Sequence, residues 1–156
     1  MEVKTITYKI VLLILLIYST ITDLRERKIM MIPVYMCFVI VSIELIGVES
    51  EEKLFMTIAG VVPGIFLLLI SFMSGEGIGR GDAYLTMAAG LMAGLEEIMW
   101  VLLSASVLAG LFALVLTVAK RRSSKEECLL KQEFPFVPFI LCGYIGVLCM
   151  DYFRME

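Results

Sequence analysis

The sequence predicts an all-α fold: a polytopic membrane protein of about six transmembrane helices, both termini on the outer side, forming a single domain over residues 1–156. Three observations predict it. Hydrophobic residues make up 60% of the chain and its mean hydropathy is +0.96, against about 45–50% apolar residues in a soluble domain. The apolar residues come in blocks long enough to cross a bilayer, which takes roughly 20 largely uncharged residues per helix. The few charges gather between the blocks, with the basic ones in alternate loops.

Taken in order, the blocks are residues 6–22, 29–47, 54–72, 83–95, 98–119 and 135–153. The first lacks both a strongly basic flank and a small-x-small cleavage site, so it reads as a retained helix rather than a signal peptide. Loop 23–28 carries Arg25, Arg27 and Lys28, loop 73–82 carries Arg80, and loop 120–134 carries Lys120, Arg121, Arg122, Lys125 and Lys131. The positive-inside rule puts these three in the cytoplasm and leaves the acidic loops 48–53 and 96–97 outside. The basic run 120–122 reads as a topology anchor, with anionic lipid as its other available partner. Block 83–95 is short, about 10 Å less than a 30 Å hydrocarbon core at 1.5 Å per residue. A re-entrant segment is the alternative, and parity argues against it, because without a crossing the strongly basic fifth loop lands outside. Pro63 and Pro138 are expected to kink the third and sixth helices. Gly60-x-x-x-Gly64 and Gly90-x-x-x-Gly94 either let helices approach closely or reflect ordinary glycine usage in membrane helices.

Composition narrows the chemistry. There is no His, which removes His-based triads and the commonest metal ligand. Cys37, Cys128, Cys142 and Cys149 show no paired spacing, and three of them lie in apolar blocks where Cys behaves as a small hydrophobe. No metal and no cofactor is expected, and nothing supports nucleic-acid binding.

Asp23 and Asp82 stand at helix ends on the same expected membrane face, because the two intervening helices carry the chain out and back. Ionisable groups at the hydrocarbon edge are costly and mark functional sites by default. Each also has a structural reading: Asp23-Leu-Arg-Glu26 has capping-box spacing, and Asp82 before Ala83-Tyr84-Leu85 is an N-cap candidate. Two carboxylates brought within a few ångströms share one proton, so one serves as base toward water and the other as acid toward a carbonyl. The glycine-rich stretch Gly75-Glu-Gly-Ile-Gly-Arg-Gly-Asp82 permits the close backbone approach such a pair needs. It lacks the Lys-Ser/Thr and βαβ context of a phosphate loop.

Gly79-Arg80-Gly81-Asp82 matches the GxGD signature of the intramembrane aspartyl proteases, with Leu85 at the apolar position that follows. Asp23-Leu-Arg25-Glu-Arg27-Lys-Ile29, then Ile32-Pro33, resembles the first conserved segment of the type IV prepilin and archaeal preflagellin peptidases. Phe134-Pro135-Phe136-Val137-Pro138-Phe139 resembles their PFxPF stretch. The resemblance implies an Asp23/Asp82 catalytic pair supported by Gly79, Gly81 and Pro33. Glu26 and Glu76 are candidate contacts for a basic leader, or solvated surface charges. The implied reaction removes a short basic leader from a pilin-like or archaellin-like precursor. The implied site faces the cytoplasm from the plasma or inner membrane. Tyr84 and Val34 depart from the Lys and Asn common in that family, which puts substrate contacts there in doubt. The cysteine-bearing methylation domain of the long bacterial enzymes is not seen, so peptidase activity without methyltransferase activity is expected. The reading from another class is a non-enzymatic membrane scaffold or small transporter subunit in which both aspartates cap helices.

Overall fold

The computed structural model describes residues 2–26, 30–45, 50–73, 79–122 and 136–155. Among these residues there are helices and no strands: α1 (Glu2–Glu26), α2 (Met31–Leu45), α3 (Glu51–Ala59), α4 (Val62–Met73), α5 (Arg80–Ala93), α6 (Leu95–Arg122) and α7 (Val137–Met155). They correspond to the six predicted blocks, the third being divided into α3 and α4. Ile6–Arg25, Glu51–Met73 and Leu95–Ala119 are long and apolar enough to cross a membrane, and Met31–Ile43 and Val137–Phe153 are shorter apolar helices.

The bundle is apolar on the outside. On α1, Leu12, Leu16, Ser19 and Asp23 are buried while Ile10, Ile14, Ile17, Ile21 and Leu24 are exposed. The buried set recurs every three to four residues, which is one face of a helix. An outer face of Ile and Leu suits hydrocarbon, and Asp23 ends the stripe that faces inward.

Helix α5 is the hub. Ala83, Leu85 and every residue from Thr86 to Gly90 are buried, and α1, α2, α3, α4 and α6 all pack against it. A helix buried all round has no amphipathic pattern, and its small residues let neighbouring backbones come close. The glycine pairs take part directly. A β-carbon on Gly60 would overlap the Gly90 carbonyl, and one on Gly64 would lie 2.7 Å from the Met87 nitrogen. Close helix approach is therefore the reason for Gly60, Gly64 and Gly90.

The third block breaks at Gly60–Val61, just before Pro63, which cannot donate to the Ala59 carbonyl. Gly60 and Val61 donate to Met56 O and Ile58 O at 3.1 Å, so the chain hardly deviates from helical geometry. Pro138 does not kink the last helix, contrary to expectation. Helix α7 starts at Val137, so Pro138 lies in the first turn, where no intrahelical donor is lost. Nor do Glu96 and Glu97 form a loop. The chain turns at Gly94 alone, at φ 82°, a conformation that glycine adopts without strain, and both acids fall in the first turn of α6.

A polar tie closes the end of the bundle where α1 begins. Lys9 Nζ lies 2.6 Å from Asp151 Oδ2 and 3.2 Å from Glu97 Oε1. The Tyr144 hydroxyl donates to the Lys9 carbonyl at 3.1 Å. These contacts join the start of α1 to the start of α6 and the end of α7. The end of α1, the start of α5 and the start of α7 accordingly share the opposite end.

Candidate active site

Asp23 occupies the last turn of α1, not the following loop, and is only 9% exposed. The capping-box reading does not hold, because α2 begins only at Met31 and Asp23 sits at a helix carboxyl end, where a negative charge gains nothing from the helix dipole. Its burial follows from the helical repeat that buries Leu16 and Ser19. The backbone N–H of Val137, the first residue of α7, donates to its carboxylate. The buried Oδ2 makes no hydrogen bond among the described residues.

Asp82 is the third residue of α5 and half-buried. It is not the N-cap either. Gly79 holds that position without a side-chain cap bond, and its carbonyl accepts from the Asp82 N–H at 3.1 Å. The positive end of α5 favours a carboxylate in its first turn. The buried Thr86 hydroxyl donates to the Asp82 carbonyl at 2.8 Å, and the Arg80 guanidinium stands 5.4 Å over the Phe72 ring, which ties the start of α5 to the end of α4.

Gly79 has φ −60° and ψ 126°, a conformation open to any L-residue. Space explains it instead: a β-carbon there would lie 3.3 Å from Asp82 Oδ2. Gly81 lies half-buried in the first turn of α5. Pro33 lies half-buried in the first turn of α2, where its missing N–H breaks no helical bond.

The two aspartates lie at the same end of the bundle. Helices α1 and α5 are packed together, and the charge of Asp23 acts on the Asp82 carboxyl. A charge on one carboxylate makes ionisation of a second one nearby more costly. Glu26 is the last residue of α1 and its side chain lies outside the described residues, as does the whole of Glu76. Val34 and Tyr84 belong to the packing. Val34 is fully buried in the core and Tyr84 is half-buried against it. Cys37 is buried and free, and Cys142 and Cys149 are exposed and free, while Cys128 lies outside the described residues.

Two features escaped the sequence. The Val137 N–H was hidden because a backbone donor has no residue-type signature. Of the Lys9, Glu97 and Asp151 cluster, Glu97 read as loop, and the three lie too far apart in the chain to show their pairing. A signal was present in Lys9 and Asp151, single charges inside apolar blocks, which ordinarily need partners.

Among curated proteins and among solved structures, none matches the chain significantly. The model of the type IV leader peptidase family matches residues 10–114. That stretch covers more than half of the chain, includes both Asp23 and Asp82, and ends before α7. The residues that bring two carboxylates to one end of an apolar bundle are thus residues the family model recognises, and the chain belongs to the type IV leader peptidase family.

Proposed function

We propose that this chain is a membrane aspartyl endopeptidase that removes the short basic leader from a prepilin-like or preflagellin-like precursor at the cytoplasmic membrane face. The observation that carries the reading is the approach of Asp23, at the end of α1, to Asp82, at the start of α5, close enough for one charge to act on the other.

In the mechanism this supports, the ionised member of the pair takes a proton from a water molecule as its oxygen attacks the scissile carbonyl. The protonated member donates to the carbonyl oxygen, and collapse of the tetrahedral intermediate sends a proton to the leaving nitrogen. The products are a free leader carboxylate and a mature chain with a new amino terminus. No nucleophilic side chain is needed. The Asp23 Oδ2 has no protein partner among the described residues, and it is the acceptor for the attacking water once substrate binding admits water to the site.

Orientation follows from charge. Arg25 and Arg80 lie at the helix ends that carry the aspartates, and Lys120, Arg121 and Arg122 complete α6 at the same end. Basic residues concentrate on the cytoplasmic side, which is also where a basic leader waits before cleavage. Glu26 and Glu76 are the acids proposed to attract it.

The test is co-expression of the wild type, Asp23→Asn and Asp82→Asn with a precursor carrying a basic leader, a glycine at the cleavage position and a hydrophobic helix. Either substitution is expected to stop the size change of the precursor while the protease still accumulates in membranes. Undiminished processing by both variants, or none by the wild type across a panel of such precursors, sinks the reading in favour of a scaffold.

A further inference from the structure

The family-matched residues end at position 114, yet an element beyond them reaches the site. Helix α7 runs antiparallel to α1, with Tyr144 bonded to the Lys9 carbonyl and Asp151 paired with the Lys9 ammonium. At about 1.5 Å per residue, Asp23 lies about 21 Å beyond Lys9. Val137 lies about 10 Å before Tyr144 and about 21 Å before Asp151. Counted from the Asp151–Lys9 pair, the start of α7 is level with Asp23, and the Val137 N–H donates to that carboxylate.

The first turn of α7 leaves this donor free for the purpose. Phe139 and Ile140 both donate to the Phe136 carbonyl, at 3.0 and 3.3 Å. Pro138 has no N–H to offer. Within residues 137–140, the Val137 N–H alone is not turned back into the helix. Val137 itself is fully buried, so water does not compete for the bond, and a buried donor needs an acceptor. The consequence for Asp23 is directional. One oxygen is held by the backbone while Oδ2 has no protein partner among the described residues.

We infer that the amino end of α7 is the positioning element of the site: the Val137 N–H clamps one oxygen of Asp23 and leaves the other turned toward the reacting water and Asp82. The inference rests on the peptidase reading above. It makes Val137 a positioning residue acting through its backbone, and it explains the proline at position 138, which removes a competing donor from the same turn.

The experiment uses the full chain in membranes and the precursor that the wild type cleaves. Val137→Pro removes the one N–H at a helix position where proline is well tolerated; Val137→Ala removes side-chain volume and keeps the N–H. The expected result is a fall in kcat of about 10-fold for Val137→Pro, the scale of a hydrogen bond to a charged group, with KM within about twofold. Val137→Ala is expected within about threefold of wild type in both. The acid limb of the pH–rate profile should move to higher pH in Val137→Pro and not in Val137→Ala, because a carboxylate that loses a donor holds its proton more tightly. Equal kcat and equal pH limbs in the two variants overturn the inference. If Val137→Pro does not accumulate, a backbone ester at position 137, which replaces only N–H by oxygen, is measured in its place, with the same shifts expected and the same null result overturning the clamp. Asp23→Asn separates the clamp from the peptidase reading. With that variant inactive and Val137→Pro equal to Val137→Ala, the clamp alone falls, whereas an active Asp23→Asn removes the peptidase reading itself.

Discussion

Replacing Gly79 by alanine tests whether this glycine is present for space or for backbone freedom. Its φ of −60° and ψ of 126° suit alanine, so no strain arises from the backbone. The loss of unfolded-state entropy contributes about 0.4–1 kcal/mol of stability. Alanine is a poorer N-cap than glycine, and the two effects nearly cancel. The new β-carbon would stand 3.3 Å from Asp82 Oδ2, tight enough that the carboxylate must give way by a few tenths of an ångström. A misplacement of 1 Å at a reacting group costs about 100-fold in rate, so a shift of a third of that size should cost roughly fivefold. Gly79→Ala is therefore expected to accumulate and unfold like the wild type while kcat for precursor cleavage falls about fivefold. Gly79→Val, with a branched β-carbon over the same oxygen, should be worse by a further order of magnitude. Cleavage kinetics in membranes beside a detergent unfolding curve measure both quantities. Wild-type kcat in Gly79→Ala would refute the claim that Asp82 is held against this backbone, and a loss of stability would show that the glycine serves the fold.

Gly90→Ala should act in the opposite way, since its β-carbon would overlap the Gly60 backbone; a destabilisation of about 1–3 kcal/mol is expected in an unfolding titration, with Gly110→Ala, which meets no neighbour, as the neutral control. Lys9→Met leaves Glu97 and Asp151 without their shared cation; because these side chains are partly exposed, about 1 kcal/mol is expected, and adding Asp151→Asn should recover part of it. The pH–rate profile of precursor cleavage should be bell-shaped, since a shared-proton pair is inactive when both carboxyls are charged and when both are neutral, and a plateau across both limbs would contradict the pair. Asp82→Glu should be nearly inactive although it keeps the charge, because one added methylene displaces the carboxylate by more than 1 Å.

Much of the architecture was legible because lipid imposes a simple code. Apolar blocks marked the helices, and Pro63 marked the break in the third. The alternative readings of Asp23 and Asp82 as caps needed coordinates to judge. Capping depends on where a helix starts to within one residue, and hydropathy blurs that boundary: α1 runs on through Asp23 to Glu26, and α5 begins before Asp82. The same blur placed Glu96 and Glu97 in a loop, when Gly94 makes the whole turn.

The order of apolar blocks, the absence of histidine and the placement of two aspartates two helices apart were determined by the sequence itself, because partition into a bilayer and the inventory of side-chain chemistry are local properties of residues. Only tertiary structure decided that α5 is the hub, that Gly60 meets Gly90, that Lys9 ties Glu97 and Asp151, and that the Val137 N–H reaches Asp23. Each of those depends on the rotation and axial register of one helix against another, which are set by the joint packing of many side chains and carry no signature in any single stretch of chain.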